Sequence, residues 1–124
     1  PDPSAGLYIK SRNGKLVHVS IPSDCLAFQI GETSQVHSGG ILQATPHAVK
    51  GCRHSDGVTR ESFAVFMEPE YHGDMNIPEG KTVEDTQRKD AEQFLPPSVR
   101  TLRSRWKLGM NFGEFSDATF AAFY

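Results

Sequence analysis

Three side chains in this sequence have types and spacing suited to chemistry: His47, Arg60 and Ser62. An imidazole moves protons near neutral pH or ligates a metal. A guanidinium is a planar fork that pairs bidentately with a carboxylate, and a hydroxyl two residues along a strand points the same way. Glu61, between them, points to the opposite face. A further pair, His54-Ser55-Asp56, combines an imidazole with a carboxylate, but Ser55-Asp56-Gly57 reads as a turn. His18, His37 and His72 each stand alone, with no partner at metal-ligand spacing. A lone histidine is more often structural than a ligand, and Arg-x-Ser is too short to be specific. The weight therefore falls on the elements that position these residues.

His47 and Arg60-x-Ser62 lie in Gly39 to Pro69, where two apolar runs read as the strands of one hairpin. Upstream, GLYIKSRNGKLVHVSIP holds two alternating segments around Asn13-Gly14, the strongest short hairpin signal, which predicts a type I′ turn. Leu7 and Ile9 are expected to face away from Tyr8 and Lys10, and Leu16, His18 and Ser20 away from Val17, Val19 and Ile21. After Pro22-Ser23-Asp24 the run CLAFQI reads as a strand covered on both faces. Glu32 to Val36 fits a single helical turn, and Gly39-Gly40 punctuates the chain again.

Downstream, Glu68 to Gly80 is rich in Pro, Gly, Asp and Asn and reads as a loop. Thr82 is placed to cap a surface helix near 82–94, with Asp85 reaching back toward the cap and a thin apolar face of Val83, Ala91 and Phe94. Pro96-Pro97 stops it. The tail RWKLGMNFGEFSDATFAAFY gathers Trp106, Met110, Phe112 and Phe115, followed by a short C-terminal helix capped at Ser116 or Asp117 that presents Phe120 and Phe123. So aromatic a cluster reads as a packed clasp rather than a ligand site.

The composition narrows the function classes. A chain of 124 residues fits a single domain, 1–124, with core strands at about 6–69 and the loop, helix and aromatic clasp at 70–124. A formal net charge of −2 and a pI near 6.2 provide no basic field for nucleic acid or acidic lipid. No apolar run reaches the roughly 18 residues of a membrane span, and Pro1-Asp2-Pro3 is not the basic start of a signal peptide. A soluble, cytoplasmic protein is expected. Cys25 in an apolar run and Cys52 in a polar turn read as one buried and one exposed thiol, not as a disulfide.

Taken in order, GLYIKSRNGK, CLAFQIGE, SGGILQATPH, TRESFAVFMEP and RWKLGMNFGEF resemble the C-terminal core of the iron(II)- and 2-oxoglutarate-dependent dioxygenases of the isopenicillin N synthase-like family. The resemblance covers nearly the whole chain. It implies a mainly β fold, part of a double-stranded β-helix or jelly roll. It also implies that His47 is an iron ligand, and that Arg60 and Ser62 hold the distal carboxylate of 2-oxoglutarate. The other two ligands in that family are a His-x-Asp on a strand upstream of the segment matching Gly6 to Lys15. His54-x-Asp56 lies instead in the expected turn of the motif hairpin. Two of the three ligands and the first strands are thus not matched, so a missing N-terminal segment or a second copy is expected to complete the sheet.

The resemblance implies an oxidoreductase that couples decarboxylation of 2-oxoglutarate to oxidation of an organic small molecule, with Tyr8 as a substrate contact or a packed core residue. The alternative is a non-catalytic jelly-roll module, binding or structural, without iron.

Overall fold

The computed structural model describes residues 2–53, 57, 59–87 and 92–124. These form two compact units, each built from two stretches of chain. One comprises Pro1–Phe28 and Thr45–Met67, the other Gln29–Ala44 and Glu68–Tyr124.

The first unit holds a three-stranded antiparallel sheet of order β2-β1-β3, with β1 (Gly6–Lys10) between β2 (Leu16–His18) and β3 (His47–Lys50). The β1–β2 hairpin expected from Asn13-Gly14 is present, pairing Tyr8 with His18 and Lys10 with Leu16. Its turn is not type I′. That turn needs positive φ at both central residues, yet Gly14 (φ 81°) has it and Asn13 does not. Instead Gly14 N–H donates to the Ser11 carbonyl (2.8 Å) and Ser11 N–H to the Lys15 carbonyl (2.9 Å), closing a three-residue connection with glycine in the left-handed position. The Ser11 hydroxyl and Asn13 carboxamide brace it.

The other edge of β1 is taken by β3, Gly6 opposite Lys50 and Ile9 opposite His47. This corrects the hairpin expected within Gly39 to Pro69. β3 pairs with β1, and residues 59–69 belong to no strand. CLAFQI forms no strand either, and Leu26 and Phe28 are 87% and 85% exposed. A two-face-covered strand needs neighbours on both edges and both faces, and among the described residues no strand pairs with it. Cys25 is accordingly exposed, not buried, while Cys52 is half-buried and both thiols are free.

The second unit is helical. α1 (Glu32–His37) extends the expected turn by one residue and ends at Gly39-Gly40. There Gly39 N–H reaches the Val36 carbonyl and Gly40 N–H the Gln35 carbonyl (both 2.9 Å), the paired bonds of a Schellman end. Both glycines have positive φ, and a Cβ on Gly40 would overlap the Asp85 carbonyl oxygen. α2 (Val83–Thr86) begins with the expected capping box: Asp85 N–H donates to Thr82 Oγ1 (3.1 Å), and Thr82 N–H to Asp85 Oδ2 (2.9 Å). This helix stops at Thr86, and the expected continuation to about residue 94 lies partly outside the described residues. Glu68 to Gly80 is a loop, as its composition predicts.

α3 (Leu102–Arg105) leads into α4 (Phe112–Phe123). α4 starts before the expected caps at Ser116 or Asp117, because Asn111 and Glu114 form a capping box of their own (2.9 Å each way). The next two orphan donors of its first turn are also satisfied, Phe112 N–H by Gly73 O (2.8 Å) and Gly113 N–H by Tyr71 O (2.7 Å).

Val36, Met75, Leu102, Trp106 and Phe115 form the buried core, with Ile77, Val83, Met110 and Phe112 packed against it. The aromatic tail is therefore a packed clasp, as expected. Arg105 is buried beside it. Its guanidinium donates to Glu32 Oε1 (2.5 Å), Thr119 Oγ1 (2.9 Å) and the Arg100 carbonyl (3.1 Å), and lies over the rings of Phe115 and Phe123.

Two substitutions test this account. Gly40→Ala forces a Cβ into the left-handed region and against Asp85, and should destabilise the chain by more than the roughly 1–2 kcal/mol of the backbone penalty alone. Asn111→Ala removes one cap and should cost about 1 kcal/mol. Chemical denaturation followed by Trp106 fluorescence reads both.

Candidate functional site

All three singled-out residues lie in the first unit. His47 opens β3 directly after Pro46, whose fixed φ restricts the approach, and whose carbonyl accepts Lys10 N–H (2.9 Å). The register holds His47 opposite Ile9, so its backbone position is set from β1. The imidazole is exposed, with Nδ1 3.3 Å from the Thr45 carbonyl. In the tautomer that donates from Nδ1, the lone pair resides on Nε2, the electronic state of a metal-ligating histidine.

Arg60 and Ser62 come together. An Arg60 guanidinium nitrogen donates to Ser62 Oγ at 2.6 Å, and both side chains are exposed. The pair presents guanidinium N–H donors and a hydroxyl in one place, the chemistry of a carboxylate grip. They lie outside any strand, so the alternation expected to aim them does not operate; their direct bond holds them on one side instead. His54-x-Asp56 falls outside the described residues. Among the described residues, no three His, Cys, Asp or Glu side chains form a group that could hold a metal ion.

Tyr8 is held against the sheet by a ring contact and a hydrogen bond. It is half-buried, stacks on His18 with ring centroids 4.6 Å apart, and donates its hydroxyl to the Ser4 carbonyl (2.8 Å). His18 in turn bonds Ala5 O through Nε2 (3.1 Å), and His37 bonds Asp74 O through Nε2 (2.7 Å), which gives both lone histidines structural partners.

One feature of this unit had no forewarning in the sequence pattern: the tie between Asp2 and the end of β3. Asp2 accepts Ser4 N–H (2.8 Å) and Arg53 N–H (3.4 Å), and Lys50 Nζ donates to Ser4 Oγ (2.9 Å). Hydrogen bonding from the Ser4 side chain, then from the Ser4 and Arg53 backbone, holds the Asp2 carboxyl below the ordinary aspartate range. The Arg53 partner lies fifty-one residues on, beyond the reach of any local pattern.

Compared with protein-family models, with curated proteins and with solved structures, the chain matches none.

The Asp2 tie has a definite pH dependence. A depressed carboxyl pKa contributes stability that is present above the unfolded value, 3.8 here, and is lost as pH falls through the lower folded value. Hydrogen-exchange protection of the Arg53 amide should therefore fall at acid pH in the native sequence. In Asp2→Asn it should be low and nearly independent of pH over the same interval.

Proposed function

We propose that this chain is the C-terminal part of the catalytic core of an iron(II)- and 2-oxoglutarate-dependent oxidoreductase acting on an organic small molecule, with its antiparallel sheet forming part of a jelly roll. The observation that carries the reading is the ordered set of five segments, from GLYIKSRNGK through SGGILQATPH and TRESFAVFMEP to RWKLGMNFGEF, which place a histidine and an Arg-x-Ser in the family's order. The geometry adds support at one point: the Arg60 guanidinium and the Ser62 hydroxyl converge to within a hydrogen bond.

The residues present fit the co-substrate better than the metal. Arg60 would pair with the distal carboxylate of 2-oxoglutarate, and Ser62, now accepting from Arg60, would turn its hydroxyl proton toward a carboxylate oxygen. His47 would supply one iron ligand through Nε2, its tautomer set by the Thr45 carbonyl. The remaining two ligands of a two-histidine, one-carboxylate site would come, as in the family, from a His-x-Asp on a strand upstream of the segment matching Gly6 to Lys15, and not from His54-x-Asp56. Iron, when bound, would supply the oxidising chemistry with dioxygen. A cytoplasmic setting and the absence of a nucleic-acid partner belong to the same proposal. No helix among the described residues is long and apolar enough to cross a membrane.

The test is the affinity for 2-oxoglutarate in the intact, iron-loaded polypeptide. Hydrogen bonds to charged groups contribute about 1.5–3 kcal/mol, so Arg60→Ala should weaken binding roughly 10- to 100-fold. Ser62→Ala should weaken it less. Calorimetry or competition binding reads the change, and an unaltered affinity in Arg60→Ala would leave the alternative of a jelly-roll module without iron.

A further inference from the structure

Asn13-Gly14 is the one Asn-Gly pair in the sequence, and it forms the tip of the β1–β2 hairpin. Asn13 is exposed, and Gly14 carries no Cβ to shield its amide nitrogen. Such a pair has a reaction of its own. The Gly14 nitrogen loses its proton and attacks the Asn13 side-chain carbon Cγ. A new C–N bond closes a five-membered succinimide, the Cγ–Nδ2 bond breaks, and ammonia leaves with the proton. Water then opens the ring at either carbonyl, giving aspartate or isoaspartate at residue 13.

Both reacting groups are engaged in the folded turn. Gly14 N–H donates to the Ser11 carbonyl at 2.8 Å. Asn13 Oδ1 accepts the Ser11 hydroxyl at 2.6 Å and Lys15 N–H at 3.3 Å. Attack requires the Gly14 amide to leave Ser11 and the carboxamide to swing its carbon over that nitrogen, so these bonds must open first.

We propose that Asn13 is a latent deamidation site, closed in the folded turn with the Ser11 hydroxyl as its latch and reactive when the turn opens. This modification site goes beyond the proposed function and does not rest on it.

The Ser11 bond is the shorter of the two on the carboxamide, at the strong end of O–H···O distances. Its hydroxyl also lies 2.9 Å from the Lys15 carbonyl, which anchors it across the turn. Reaction therefore follows the population of the locally opened turn rather than exposure alone. The two products differ in consequence. Aspartate keeps the acceptor oxygen, and Asp-Gly suits a hairpin connection as Asn-Gly does. Isoaspartate routes the backbone through the side chain and adds one carbon between residues 13 and 14. The loop sets the register of a hairpin, so isoaspartate disturbs the pairing of Lys10 with Leu16 and of Tyr8 with His18.

Incubation at mildly alkaline pH tests the proposal, with isoaspartate at residue 13 read by peptide mass spectrometry and by isoaspartyl methyltransferase labelling. The folded native chain should react at least about tenfold more slowly than the same chain in urea, because several hydrogen bonds must open. Loss of the Ser11 bond should accelerate the folded reaction in Ser11→Ala roughly 2- to 10-fold. In urea the same substitution should change little. Ser11→Thr, which keeps the hydroxyl, should react at the native rate. Val19 N–H, bonded to the Leu7 carbonyl (2.8 Å), reports the hairpin, and its hydrogen exchange should remain protected in each variant. A folded native chain that reacts as fast as the unfolded one, or one that forms no isoaspartate at residue 13 even in urea, would overturn the proposal. So would Ser11→Ala at the native rate, or acceleration that comes with loss of Val19 protection.

Discussion

The indole of Trp106 sets the terms for the second unit. At 1% exposure it is the largest side chain in the core, and a buried indole N–H without an acceptor is costly. Its acceptor is the Met75 carbonyl, 2.9 Å away, in a stretch with neither helix nor strand. The loop must therefore hold that carbonyl in place. It does so through Asp74, bridged to Asn111 and bonded by His37, and through the Tyr71 and Gly73 carbonyls that complete the first turn of α4. Gly113 lets the Tyr71 ring lie against the helix, since any Cβ there would overlap it. The Tyr71 hydroxyl ends the chain of contacts at Asp117 (2.8 Å), and that carboxylate pushes the phenol up from its ordinary value. An irregular segment thus behaves as part of the core because one ring nitrogen needs a partner.

What the sequence revealed of the fold follows the range of the forces involved. Capping at Thr82 and Asp85, the stop at Gly39-Gly40 and the turn around Asn13-Gly14 depend on residues within a few positions of one another, and each is present. The type of that turn escaped because Ser11 and Lys15 close it one residue wider than Asn-Gly alone suggests. The start of α4 was obscured by Gly113, a poor helix former in its first turn, although Asn111-x-x-Glu114 carried the capping signal. Strands are another matter. Their pairing depends on residues distant in sequence, so CLAFQI and FAVFM look like strands yet pair with no strand among the described residues, while HAVK pairs with β1.

The candidate site is readable to the same depth. Arg60 and Ser62, two residues apart, meet as their types suggest. His47 takes its place from Pro46 and from β1, a partner that no local pattern names. Exposure governs what such a site can do. An arginine fork in water gains little from a carboxylate, because both ions give up hydration and are screened. The grip of Arg60 on any acid therefore depends on what shields it from water, be it a folded neighbour, a second chain or the body of the acid itself.

The division of the chain into two units has a further consequence in time. Each unit is interrupted by the other: Gln29–Ala44 splits the first, and Thr45–Met67 splits the second. Gln35 must reach the Thr86 carbonyl across 51 positions, and Arg105 must reach Glu32 across 73. Such contacts carry a loop-closure entropy that has to be met before they contribute anything. The sheet of the first unit, whose most distant register joins Gly6 to Lys50, draws the ends of the intervening segment together. The interleaving thus obliges each unit to close a loop that contains a stretch of the other.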